Sequence, residues 1–148
     1  MSSPAYEKLD GSRVYLDANI VITLVEIADT RLARVLERAM VGRLRLVTSE
    51  LTLAEVLVRP LRDGDQNLSA IYRDLFSRPQ VIECVPVARE VLELSCTIRA
   101  EEGGKLADSI HVATAEASNC AVFLSSDRRI KTRKPMIRIG IDDIPDTP

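Results

Sequence analysis

Five short runs rich in β-branched and aliphatic residues, at 13–17, 44–47, 81–85, 121–124 and 136–141, are separated by stretches whose apolar residues recur at helical intervals. This alternation is the strongest constraint on the fold. Strands spaced by helices must be joined by crossovers, which gives a largely parallel sheet with helices on both faces. The intervening stretches support that reading one by one. Leu32, Val35, Leu36 and Ala39 share one helical face, Arg31, Arg34, Glu37 and Arg38 turn outward, and Gly42 ends the helix. Ser49 is placed to cap a helix that runs to Val58 and stops at Arg59-Pro60, because proline disfavours helical geometry in its predecessor. A further helical pattern covers 67–76. Pro86 opens another that carries Val87, Val91, Leu94 and Ile98, and Gly103-Gly104 separates it from a helix over 106–118. The expected fold is α/β: a single domain over 12–141 with a central, largely parallel five-stranded sheet, and short tails at 1–11 and 142–148 whose ends fray.

A chain of 148 residues, 46% hydrophobic and 28% charged, suits one compact domain with a real core. The start "MSSPAYEKLD" has no basic segment leading into an apolar one, and no uncharged run approaches the roughly 18 residues of a membrane span. A soluble, cytoplasmic protein with no membrane partner is therefore expected. Cys84, Cys96 and Cys120 are odd in number, lack zinc-ligand spacing and sit among apolar neighbours, so all are read as buried thiols. The net charge of -2 argues against a generally cationic nucleic-acid coat but leaves room for a local basic patch.

Four acids do not fit their surroundings. Asp17 interrupts the apolar run "VYLDANIVITLV" at the end of the first strand, and Asp127 follows the fourth in "AVFLSSD". In a parallel sheet both belong to one rim, where ligands gather. Each could equally be a helix cap. Glu55 in "SELTLAEVL" falls on one helical stripe with Leu51 and Val58, so a carboxylate interrupts an apolar face. Glu50, in the first turn, is explained by the helix dipole. Asp108 stands in the nearly all-apolar helix "KLADSIHVATAEA". Clustered, the four would repel strongly unless a divalent cation lay among them, and oxygen ligands without Cys or His suit Mg²⁺ or Mn²⁺.

With these residues in view, the chain resembles the PIN-domain nucleases, and in size and layout the VapC-type toxins of toxin-antitoxin systems. "VYLDANIVI" is similar to the family's opening strand, with its acid at Asp17 and polar companion at Asn19; "SELTLAEVLVRPL" carries the second acid at Glu55. "KLADSIHVATA" resembles the third motif, with Asp108, and "FLSSD" the fourth, with Asp127 and Ser125. The four acids follow in order at intervals of 38, 53 and 19 residues. The resemblance implies a metal-dependent endoribonuclease, the toxin of a type II toxin-antitoxin system. It would hydrolyse RNA phosphodiester bonds with a metal-activated water and form a homodimer inhibited by a cognate antitoxin. It further implies Mg²⁺ or Mn²⁺ held by Asp17, Asp108 and Asp127, with Glu55 as ligand or base and Asn19 and Ser125 orienting carboxylates or water. His111, lone among apolar residues, reads as packed rather than catalytic.

Arg128, Arg129, Lys131, Arg133 and Lys134 follow Asp127 directly and can bind RNA phosphates or form a solvated loop; Lys105 is a weaker candidate. With Phe76, Phe123, Tyr6, Tyr15 and Tyr72 the only aromatics, no platform for stacking bases is evident, and specificity should follow RNA shape or loop context. The helices around 32–40 and 68–76 can pair two copies or cover the sheet. The competing readings are a catalytically inactive PIN-like scaffold that binds RNA or protein, and a stand-alone RNA-processing nuclease with no antitoxin. An aspartyl phosphatase of the haloacid-dehalogenase kind expects a second aspartate where Asn19 stands.

Overall fold

A computed structural model describes residues 4–146; the expected fraying of 1–3, 147 and 148 lies outside the described residues. The elements follow in the order α1 (Pro4–Leu9), β1 (Arg13–Leu16), α2 (Ala18–Ile22, continued by a π-helical turn Thr23–Ile27), α3 (Thr30–Met40) and β2 (Arg45–Ser49). Next come α4 (Glu50–Val56), α5 (Val58–Asp63), α6 (Gln66–Phe76), β3 (Ile82–Val85), α7 (Arg89–Glu102), α8 (Leu106–Ala117), β4 (Val122–Leu124) and β5 (Ile137–Ile139). The five strands form one sheet in the order β3-β2-β1-β4-β5. Every pairing is parallel, with Val14 opposite both Leu46 and Val122.

Side chains alternate across this sheet, as the two-residue period of a strand requires. Val14, Leu16, Leu46, Val122 and Leu124 enter one core with α1, α3 and α6. Tyr15, Val47 and Phe123 enter the other, against α7 and α8. Both faces are thus covered. The core reaches past 12–141 at each end, since Tyr6 and Leu9 of α1 and Ile144 are buried in the first cluster. Those segments contribute apolar side chains to the interior and are not tails.

Local details differ from the sequence expectation for identifiable reasons. Ser49 caps α4 by accepting from the Leu51 N–H at 3.0 Å, but the helix breaks at Leu57, ahead of Pro60. Pro60 instead lies in the first turn of α5, where a missing N–H costs nothing. Similarly α7 starts at Arg89 with Ala88 as its cap residue, so Pro86 and Val87 precede it. Of the cysteines only Cys120 is buried; Cys84 is half-buried and Cys96 exposed. On α3, Leu32, Val35 and Ala39 pack into the core with the sheet, and on α6 Tyr72 does. Among the described residues no helix is long and apolar enough to cross a membrane.

Candidate active site

The strand order reverses between β1 and β4, because the chain builds outward through β2 and β3 on one side and β5 on the other. Such a switch point leaves a crevice beyond the carboxyl ends of the strands. Asp17 follows β1 there, and its N–H donates to the Leu124 carbonyl at 3.3 Å, so β4 fixes its backbone. Its side chain is 4% exposed. One oxygen, Oδ1, accepts from the Ile20 N–H at 3.0 Å and caps α2. The other accepts from the Ser125 hydroxyl. Both partners are neutral, and burial pushes the Asp17 carboxyl above the usual carboxylate range. Capping and a misplaced charge therefore coexist in one residue.

Ser125, beyond β4, links two acids. It donates to Asp17 and accepts from the Asp127 N–H at 3.1 Å. Asp127 holds Arg129 with both oxygens, at 3.0 Å to Nε and 3.1 Å to the terminal nitrogen. The Arg129 guanidinium, assisted by its N–H and by the charge of Lys105, holds the Asp127 carboxyl below the usual range. The two strand-end aspartates are thus shifted in opposite directions, one by burial and one by a cation.

Glu55 projects from α4 with its side chain 37% exposed. The buried residues of that helix are Thr52 and Val56, and Val58 is 50% exposed, so the apolar stripe inferred from Leu51 and Val58 is not the buried one. What engages Glu55 is His111. Its Nε2 lies 2.5 Å from Glu55 Oε1, and its Nδ1 lies 2.6 Å from the buried Tyr15 hydroxyl. With the phenol donating to Nδ1, the remaining ring proton is on Nε2 and points at the carboxylate. His111 is packed, 3% exposed, and also fixes a site acid. The sequence signal was the period of α8, which sets His111 three residues after Asp108 on a neighbouring helical position.

Asp17, Asn19, Glu55, Asp108, His111 and Asp127 line one cavity of about 70 Å³ together with Ala18 and Ile130. Among the described residues no three His, Cys, Asp or Glu side chains are gathered closely enough to hold a metal ion jointly. Two of the acids are engaged elsewhere, Asp127 by Arg129 and Glu55 by His111. The donor types nevertheless suit a hard divalent cation, and Asp17 is a buried carboxylate whose hydrogen-bond partners carry no charge.

The basic residues divide. Arg133 is held by Glu116 at 2.6 Å and 3.0 Å and by Glu101 at 2.9 Å, which ties the loop after β4 to α7 and α8. Lys105, Arg129 and Lys131 border a second cavity that shares Asp108 and Ile130 with the first. Arg128 and Lys134 are exposed and line neither. Tyr6, Tyr15, Tyr72 and Phe123 are buried, so they offer no stacking surface.

Comparison with known proteins bears on the fold. No curated protein sequence matches the chain. Solved structures do. VapBC2 from Rickettsia felis, bound to a DNA fragment from its promoter, superposes with a TM-score of 0.70 at 15% identity, covering 86% of this chain and 98% of that one. A toxin-antitoxin complex from Klebsiella pneumoniae gives 0.65 at 21%, covering 82% and 92%. VapC20 from Mycobacterium tuberculosis, a toxin that cleaves the sarcin-ricin loop, gives 0.58 at 14%, covering 77% and 91%. At these identities the likeness is one of fold. The model of the PIN domain family matches residues 14–134, from the first residues of β1 through the loop after β4, and the chain belongs to that family.

Proposed function

We propose that this protein is a divalent-metal-dependent endoribonuclease, the toxin of a type II toxin-antitoxin pair. The observation that carries the reading is the meeting of Asp17, Glu55, Asp108 and Asp127, from four separate elements, around one cavity at the switch point of the sheet. In this reading Asp17, Asp108 and Asp127 hold Mg²⁺ or Mn²⁺, with Glu55 as further ligand or base. Such an ion, when bound, lowers the pKa of water and stabilises charge on the scissile phosphate. Ser125 orients the Asp17 and Asp127 carboxyls through the bonds it makes to each. His111 holds Glu55 by Oε1 and leaves Oε2 to take a proton from the attacking water. Asn19, exposed at the start of α2, reaches the same cavity as a polar donor.

RNA as substrate and an antitoxin as partner follow the likeness to VapC20 and to the two toxin-antitoxin complexes. A second copy of the chain belongs to the same reading, and it would meet a surface other than the faces of α3 and α6 that cover the sheet. One observation favours the inactive scaffold instead, namely that Arg129 and His111 already occupy two of the acids. Cleavage of a structured RNA with Mg²⁺ or Mn²⁺, against the same reaction in chelator, separates the two. The nuclease cuts only with metal, and Asp17→Asn lowers the rate by more than about 100-fold, the upper end for residues that merely support a ligand. Equal cleavage by both proteins, or by neither, rejects it.

A further inference from the structure

The second cavity has a chemistry of its own. It measures about 100 Å³, where a single water needs about 10–15 Å³, so it accommodates a group of many heavy atoms and not only an ion. Ile98, Val112 and Ile130 give it an apolar lining, of which Ile130 is the most accessible at 8%. Its rim is polar and carries Lys105 and Lys131, neither of which forms a salt bridge among the described residues. Arg129 also borders it but is bound to Asp127. Gly103 and Gly104 lead into α8 with φ of +74° and +94°, and a Cβ on either would meet nothing, so the chain here leaves open space. Finally, α8 starts without a side-chain cap, which leaves first-turn N–H groups beside the same rim.

An apolar lining, two lysines that form no salt bridge among the described residues, and uncapped N–H groups match the two halves of a nucleotide. A base is flat and apolar on its faces; its phosphate is an anion. Two carboxylates line the cavity as well: Asp108, shared with the acidic cavity, and the exposed Glu102, which forms no salt bridge among the described residues and can only accept hydrogen bonds from a base edge. We propose that this cavity binds one nucleotide of the RNA next to the scissile phosphate, with the base on Ile98, Val112 and Ile130, the phosphate on Lys105 and Lys131, and Glu102 favouring bases that carry an exocyclic amine. The proposal rests on the nuclease reading for its place in the RNA.

The test is an amide chemical-shift titration of the full chain in chelator, so that no metal binds and nothing is cut. CMP and UMP are the probes, since they differ at the amine or carbonyl that Glu102 would meet, and ribose 5-phosphate reports the phosphate alone. CMP is expected to shift the amides of residues 103–109 and to bind roughly 10-fold more tightly than UMP or ribose 5-phosphate. Glu102→Gln, at an exposed helix end, should erase the preference of CMP over UMP. Replacing Lys105 and Lys131 together by Ala should weaken all three ligands alike. A trinucleotide with central cytosine should bind more tightly than CMP. Equal binding of CMP and ribose 5-phosphate, shifts confined to the acidic cavity, or a free nucleotide that outbinds the trinucleotide would overturn the proposal. RNA cleavage without these shifts defeats the pocket alone, whereas shifts without cleavage defeat the nuclease reading and with it the pocket's position beside a cut bond.

Discussion

Asp17 is stabilised and destabilised by its position at the same time. Its bonds to the Ile20 N–H and the Ser125 hydroxyl favour the carboxylate, while burial opposes the charge and prevails, as the upward shift of its pKa shows. An asparagine keeps an acceptor for the cap and removes the charge. Asp17→Asn is therefore expected to leave the metal-free protein at neutral pH as stable as wild type or more so, by urea denaturation, while cleavage is lost. His111 belongs to this scale too. Tyr15→Phe would leave its Nδ1 buried without a donor, a loss of about 1–3 kcal/mol in the same measurement. As the only histidine in the chain, His111 also reports directly on Tyr15: its ring nitrogen resonances should show a proton on Nε2 in wild type and a mixture of tautomers in the variant. The acids themselves were legible from sequence, because a charge inside an apolar run stands out. The stripe that makes Glu55 stand out in sequence is not the buried one. Leu51 and Val58 share its stripe in an ideal helix, but α4 ends at Val56 and the buried face is that of Thr52. His111 is packed as its apolar neighbours suggested, but its hold on Glu55 was not legible, because those neighbours say nothing of a carboxylate that arrives from 56 residues away.

At the scale of elements, strands and most helices were legible because their periods are clean, and boundaries were not, because they depend on what each end meets. Pro60 looked like a stop and proved to be a first-turn residue of a new helix. The basic run after Asp127 looked uniform, yet Arg133 is anchored to Glu116 and Glu101 while Lys131 is not. Arg133→Ala should cost about 1 kcal/mol, given its partial exposure, and lower the melting temperature by about 2–4 °C, whereas Lys131→Ala should leave it unchanged. The cap of α3 gives a pH dependence. Asp29 accepts from the N–H groups of Arg31 and Leu32, and the Arg31 side chain is the main reason its pKa lies below the usual value. A depressed carboxyl contributes its stability above the unfolded value of about 3.9 and loses it as pH falls through the lower folded one. Asp29→Ala should thus cost about 1 kcal/mol at pH 7, and the gap from wild type should close as pH falls below the unfolded value of about 3.9 in urea titrations at each pH.

The whole molecule is a parallel sheet whose order brings Asp17 and Asp127 to one crevice and whose helices supply Glu55 and Asp108 from either side. That layout was readable from the alternation of strands and helices. The limits of the domain were not, since Tyr6, Leu9 and Ile144 are single apolar residues in polar segments and only the folded chain shows that they complete a core. A fragment spanning 12–141 is accordingly expected to be unfolded by circular dichroism, because losing buried side chains at about 2–5 kcal/mol each consumes most of a typical net stability. The proposal on which the rest depends is that Asp17, with Asp108 and Asp127, holds a divalent cation. Direct titration with Mn²⁺, followed by electron paramagnetic resonance of the free ion, tests it without reference to any RNA. Wild type should take up Mn²⁺, and Asp17→Asn should bind it at least about 10-fold more weakly; identical uptake by the two proteins, or none by wild type, would contradict the account.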